Sequence, residues 1–119
     1  MENRDLARLL GALCFEERLR IIGGLISAGD EGLSLHELSQ ITGLALKVVN
    51  LHLDHMTGTD MVKSRPSPTG NIFLANLELL EKVFTFINEN YGAGVRLANR
   101  AALKKARSTE SKTAYQPAP

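Results

Sequence analysis

Two helical patterns separated by only three residues constrain this chain more than any other feature. Ser34-Leu35-His36-Glu37 is a capping box: the Ser34 hydroxyl accepts an orphan amide hydrogen bond and Glu37 reaches back to the cap, so a helix starts at about Leu35. Leu35, Leu38 and Ile41 carry its apolar face up to Thr42-Gly43-Leu44, where glycine can adopt the left-handed conformation that ends a helix. Another helix resumes at once, from about Ala45 to Thr57, with Val49, Leu53 and Met56 as its core stripe. Lys47, Asn50, Leu51, Asp54 and His55 then lie largely on other faces.

The flanking segments complete the pattern. Upstream, Leu6, Leu9, Leu10 and Leu13 form one face of a first helix, and Glu16 to Ser27 gives a second, with Leu19, Ile22, Leu25 and Ile26 on its buried side. Gly29-Asp30-Glu31-Gly32 is a turn. Downstream, Met61 to Arg65 and Ile72 to Ala75 are short β-compatible runs around a proline-stiffened tip, Pro66 to Asn71. From Leu77 on, helical spacing returns at Leu80, Val83, Phe84, Ile87 and Tyr91, with Leu79 and Phe86 on a second side.

The expected fold is mainly α with a small β-hairpin: four helices, two strands and a fifth helix, a winged helix-turn-helix. The last helix is too apolar for one small core. Together with the leucine-rich first helix it reads as a dimer interface, since such faces must be removed from water. The interface residues expected are Leu6, Leu9, Leu10, Leu13, Leu77, Leu80, Phe84, Ile87 and Tyr91. Residues 1–92 are expected to form this domain. Residues 93–119 read as a basic, disordered tail in which Arg96 to Arg107 forms a transient helix.

Length and charge narrow the function. A chain of 119 residues is about one domain's worth, and 44% hydrophobic residues suffice for one core. No apolar run approaches the ~18 residues of a membrane helix, and the Met-Glu-Asn-Arg-Asp start is unlike a signal peptide, so a cytoplasmic protein without a membrane partner is expected. Residues 1–94 hold 8 Lys/Arg and 12 Asp/Glu, a balance of −4, whereas residues 95–119 hold 6 Lys/Arg and one Glu, a balance of +5. An acidic body argues against a sequence-blind nucleic-acid coat, because such affinity comes mainly from phosphate neutralisation. A specific DNA reader needs only a few cations gathered on one face. No P-loop, Gly-x-Gly-x-x-Gly, Gly-x-Ser-x-Gly or His-Glu-x-x-His motif is present, and Glu16 and Glu17 point about 100° apart on a helix, so no enzyme is expected.

A helix-turn-helix works because one helix props its neighbour outward into the major groove and itself crosses the phosphate backbone. Ser39, Gln40 and the start of the second of these helices are placed to meet that backbone. The wing offers Lys63, Arg65, Thr69 and Asn71 as donors. At these residues the sequence resembles a known family. Leu13 to Ile22, Glu37 to Leu44, Val49 to Met56 and Thr59 to Val62 are similar, in order and spacing, to the opening segment, two helices and hairpin start of the ArsR/SmtB winged-helix repressors. The likeness covers residues 5–91. It implies a homodimer joined through the first and last helices. Such a dimer sits on double-stranded promoter DNA and leaves it when a small-molecule effector binds or a thiol changes state.

Carried over residue by residue, the resemblance assigns DNA contacts to Lys47, Val48, Asn50, Leu51 and His52, with Lys63, Arg65 and Asn71 from the wing; Gln40 joins them through its place at the phosphate backbone in the helix-turn-helix. The recognition helix departs from the family in its apolar Leu46, Val48 and Leu51. Apolar side chains touch thymine methyls and Asn50 suits an adenine edge, but no arginine stands ready for guanine. The alternative reading is that these residues simply pack. The chain is then a winged-helix protein-interaction module; a third reading is a DNA binder with no effector.

The family's sensor sites are only partly represented. Its thiolate pair falls on Ser34 and His36, and its zinc ligands at the last helix fall on Asn76, Glu78, Glu89 and Gly92. His52 and His55, three apart, read as packing and phosphate-contact residues rather than ligands. No metal and no cofactor are expected. Cys14 is the sole cysteine. Its place just before a helix, with Arg18 and Arg20 near in sequence, makes it a candidate thiol sensor, against the plainer expectation of a buried structural cysteine.

Overall fold

In the computed structural model, which describes residues 1–109, α1 spans Asn3–Ala12 and α2 spans Glu16–Ala28. The Asp5 carboxylate accepts the Glu2 amide at 2.9 Å and holds the start of α1. A 3₁₀ turn, Gly29–Glu31, leads into β1 (Leu33–Ser34), α3 (Leu35–Thr42) and α4 (Leu46–Gly58). The hairpin follows as β2 (Val62–Ser67) and β3 (Gly70–Ala75), and then α5 (Leu77–Ile87), a π-helical turn (Asn88–Gly92) and α6 (Ala93–Thr109). The chain divides into two units, Met1–Val83 and the residues from Phe84 on.

Within the first unit the expected capping box is present: the Glu37 amide donates to Ser34 Oγ at 3.1 Å and the Ser34 amide donates to Glu37 Oε1 at 3.0 Å. Gly43 closes α3 with φ +73°. Ile21, Leu25, Leu38, Val49, Leu53, Met56 and Met61 are fully buried and form the centre of the core. They join α2, α3, α4 and the hairpin base.

Several sequence expectations are corrected here. The inward face of α2 is Arg18, Ile21, Ile22 and Leu25, so at ~100° per residue Leu19 and Ile26 turn outward and are exposed. Ile41 is likewise exposed, and Thr42 takes the buried place at the end of α3. In the expected dimer face, Leu6, Leu9 and Leu80 lie in the chain's own core, with Leu13 half-buried just past α1. Leu10 and Leu77 remain exposed.

The sheet has three strands in the order β1-β3-β2, all antiparallel. β1 pairs Leu33 with Phe73 and Ser34 with Ile72, and a two-residue strand is too short to show a period in sequence. The wing tip is shorter than expected. Pro66 pairs with Asn71 and Ser67 with Gly70, leaving Pro68-Thr69 as the turn. Pro66 is tolerated because β2 is an edge strand, where a missing amide donor costs nothing.

The second unit, taken by itself, stays helical from Phe84 to Thr109. Phe86 and Tyr91 meet edge to face, with centroids 6.4 Å apart, across the π-helical turn. Residues 93–109, expected as tail with a transient helix over Arg96 to Arg107, carry α6; Ala, Leu, Arg and Lys dominate there and are strong helix formers. The rest of the expected tail, 110–119, lies outside the described residues.

Gly32 has φ +65°, and a Cβ there would stand 2.5 Å from Ile72 Cγ2 and 2.6 Å from the Phe73 carbonyl oxygen. Backbone cannot swing aside as a side chain can. Gly32→Ala is therefore expected to lower unfolding free energy by about 3 kcal/mol or more, whereas Gly43→Ala, left-handed but in open space, costs about 1 kcal/mol. Denaturant midpoints for the two variants check this order.

Candidate nucleic-acid interface

The turn between α3 and α4 is built by short side chains. Thr42 Oγ1 donates to the Leu38 carbonyl at 2.7 Å and accepts the Leu44 amide at 3.3 Å, while Ser39 Oγ donates to the Leu44 carbonyl at 2.5 Å. Arg20 Nη1 adds a bond to the Thr42 carbonyl at 3.4 Å. Ser39, expected at the phosphate backbone, is thus spent on the turn. Gln40 beside it is exposed.

With α4 set at that angle, Val49, Leu53 and Met56 point into the core and the opposite face stands in solvent. Lys47, Val48, Asn50, Leu51 and Asp54 line one shallow concavity on it. Leu51 is 69% exposed, and Leu46 and Val48 are each 39% exposed. Leu51 therefore stands largely in solvent, while Leu46 and Val48 are only partly covered. The strip holds one cation, Lys47, and one anion, Asp54.

His52 is the one recognition-helix candidate turned away from this strip. Arg18 Nε donates to His52 Nδ1 at 3.1 Å, the Phe15 ring lies 6.1 Å from the His52 ring, and the Arg18 guanidinium sits 4.6 Å over the Phe15 ring. Arg18 Nη1 also donates to the Ala12 carbonyl at 3.3 Å. With Nδ1 accepting, the proton of the neutral imidazole is on Nε2, which is left as a donor. Arg18, 9% exposed, was not a sequence candidate. The available signal was an arginine in step with Ile21, Ile22 and Leu25 on the buried face.

The wing candidates separate. Asn71 and Thr69 share a recess with Asn50 of α4 and with Ser34 and His36 at the start of α3. Hairpin tip, recognition helix and capping turn thus meet at one place. Arg65 is exposed but folds back, Nη1 to the Asp30 carbonyl and Nη2 to the Glu31 carbonyl, each at 3.4 Å. Lys63 pairs with Leu74 near the hairpin base and lines a different recess, with Arg8, Asp60, Asn76 and Lys82. Of the four wing candidates, Asn71 and Thr69 lie beside α4.

Cys14 is exposed, in contrast to the expected structural burial, because the chain has left α1 and has not yet entered α2. Among the described residues no group of three or more His, Cys, Asp or Glu side chains is placed to hold a metal. No described helix is long and apolar enough to cross a membrane.

No protein-family model matches the sequence, and no curated protein sequence does so significantly. Solved structures do match. An ArsR-like transcriptional regulator from Rhodococcus sp. RHA1 is similar at TM-score 0.63 and 18% identity, over 94% of this chain and 96% of that one. The homodimeric winged helix-turn-helix DNA-binding domain of a possible ArsR-family regulator from Mycobacterium bovis, solved by NMR, is similar at 0.60 and 15%, over 97% of both chains. HlyU from Vibrio cholerae, in its reduced form, is similar at 0.58 and 25%, over 74% of this chain and 90% of that one. The chain has the winged helix-turn-helix fold of the ArsR-type regulators.

Arg18→Ala removes two charge-assisted hydrogen bonds and a cation–π contact at a nearly buried position, and leaves His52 Nδ1 and the Ala12 carbonyl without this partner. A loss of about 2 to 3 kcal/mol is expected. Thermal unfolding measures it.

Proposed function

We propose that this protein is a sequence-specific DNA-binding transcriptional regulator, a homodimeric repressor of the ArsR type whose α4 enters the major groove. The observation that carries the reading is the outward strip of α4: Lys47, Val48, Asn50 and Leu51 stand in solvent while Val49 and Leu53 anchor the same helix in the core. Asn71 and Thr69 beside Asn50 support a wing that follows the groove edge. Lys47 and the Nε2–H of His52 suit phosphates, Asn50 an adenine edge, and Val48 and Leu51 thymine methyls, so an A·T-rich operator is favoured. Gln40 is assigned to the backbone. Arg65 joins only by releasing the carbonyls of Asp30 and Glu31, and Lys63 contributes charge from the hairpin base.

Dimerisation is supported by apolar area the chain leaves uncovered, Leu10 and Leu77 in the first unit and Phe84 and Tyr91 in the second, and by the homodimeric Mycobacterium bovis relative in fold. The regulatory signal is assigned to a small-molecule effector or to the exposed Cys14 thiol. A second reading, a protein-interaction module, is favoured by the apolar character of Leu46, Val48 and Leu51 and by Asp54 among them.

Fluorescence anisotropy of the protein on DNA from upstream of its own gene, against scrambled DNA at two salt concentrations, separates the readings. The regulator prefers the native sequence by at least tenfold, about 1.4 kcal/mol; equal or absent binding favours the interaction module. Asn50→Ala is expected to erode that preference by about 1 to 3 kcal/mol at one base pair, whereas Lys47→Ala weakens all DNA alike. For the dimer, Phe84→Glu at a 62% exposed position is expected to shift sedimentation equilibrium toward monomer.

A further inference from the structure

The first unit is poorly supplied with cations where a duplex would lie. On the α4 strip Lys47 faces Asp54, Arg65 is turned to the carbonyls of Asp30 and Glu31, and Lys63 sits near the hairpin base. Most DNA affinity comes from phosphate neutralisation, and the first unit, Met1–Val83, holds 8 Lys/Arg and 11 Asp/Glu, a balance of −3. The missing charge is on α6. From Ala93 to Thr109 there are five Lys/Arg and no Asp/Glu. All five, Arg96, Arg100, Lys104, Lys105 and Arg107, are exposed.

Their spacing is ordered. Arg96, Arg100 and Lys104 recur every four residues and Arg107 follows by three, so at ~100° per residue these four lie within an arc of about 80°. Lys105 points away from that arc. Val95, Ala98, Ala101, Ala102 and Ala106 occupy the other side. Arg96 is steadied by its 3.4 Å bond to Asn88 Oδ1. The basic stripe is about 16 Å long at 1.5 Å rise per residue, the axial length of about five phosphates on one DNA strand at 3.4 Å each.

We propose that α6 is a phosphate-binding helix for double-stranded DNA: its Arg96-Arg100-Lys104-Arg107 face supplies the sequence-independent attraction that the acidic first unit lacks. This rests on the DNA-regulator reading, and it divides the labour between units, with α4 and the wing tip choosing the sequence and α6 holding the backbone. Charge complementarity selects the occupant.

The test is salt-dependent anisotropy on native upstream and scrambled duplexes, using full-length protein and a full-length variant with Arg96, Arg100, Lys104 and Arg107 all changed to Gln. Glutamine keeps the helix propensity. Circular dichroism checks that it remains folded. The variant is expected to lose affinity for both duplexes by a similar factor and to show a log–log salt slope lower by about 0.9 for each cation that touched phosphate. Its preference for the native duplex is expected to stay. Among single changes, Arg100→Gln should lower the slope by about 0.9 and Lys105→Gln by much less. Unchanged affinity and slope in the fourfold variant, with the native preference intact, overturns the role of α6 alone and points its charge toward another polyanion such as an acidic lipid surface. Equal loss from Lys105→Gln and Arg100→Gln overturns the directed face. Failure of the unaltered protein to bind either duplex overturns the regulator reading as well.

Discussion

Everything the recognition helix presents depends on the hydrogen-bonded turn Thr42-Gly43-Leu44. Thr42 sits almost buried at the end of α3 with its hydroxyl spanning Leu38 and Leu44, and Ser39 closes the other side of the turn. Each of these bonds contributes only about 1 kcal/mol, but together they leave the chain a single exit direction. Val49 and Leu53 then reach the core beside Leu38. The residues between them are forced outward by the helical period, and this is why Val48 and Leu51 are in solvent although both are apolar.

A second support comes from α2. Arg18 is held on the core side by the Ala12 carbonyl and by Phe15, and from there it holds His52. The end of α1, the start of α2 and the middle of α4 thereby share one polar contact beneath the binding face. Cys14 lies exposed in the same connection between α1 and α2. The geometry makes His52 a bracket between α2 and α4.

Charge is distributed unevenly along the chain. The α4 strip is nearly neutral and partly apolar, with one cation, Lys47, and one anion, Asp54. Five of the fourteen Lys/Arg lie on α6, which has no Asp or Glu. In the proposed reading, sequence preference falls to α4 and the wing tip and electrostatic attraction to α6, so that either can be altered without the other.

The helix-turn-helix was legible in sequence because its signals are local. The capping box of Ser34 and Glu37, the glycine at 43 and the 3.6-residue period of Val49, Leu53 and Met56 each act within one or two turns of backbone. The hairpin was legible for the same reason, through Pro68 and Gly70. What distant partners decide was not. Leu19, Ile26 and Ile41 have the spacing of buried residues, yet α2 and α3 are rotated so that Arg18, Ile21 and Thr42 take the inner places, and only packing sets that rotation. β1 exists because β3 lies beside it, Ser39 is consumed by a carbonyl five residues on, and Arg65 is bent back by a turn more than thirty residues earlier. By itself the sequence determined the order of α1 to α5 around the β2–β3 hairpin and the segregation of charge along the chain, since these follow from periodicity and composition. Tertiary structure alone decided which of the candidate donors stand together at Asn50 and Asn71 and which are spent on the protein itself, because a side chain's partner is chosen by what the fold brings within about 3 Å.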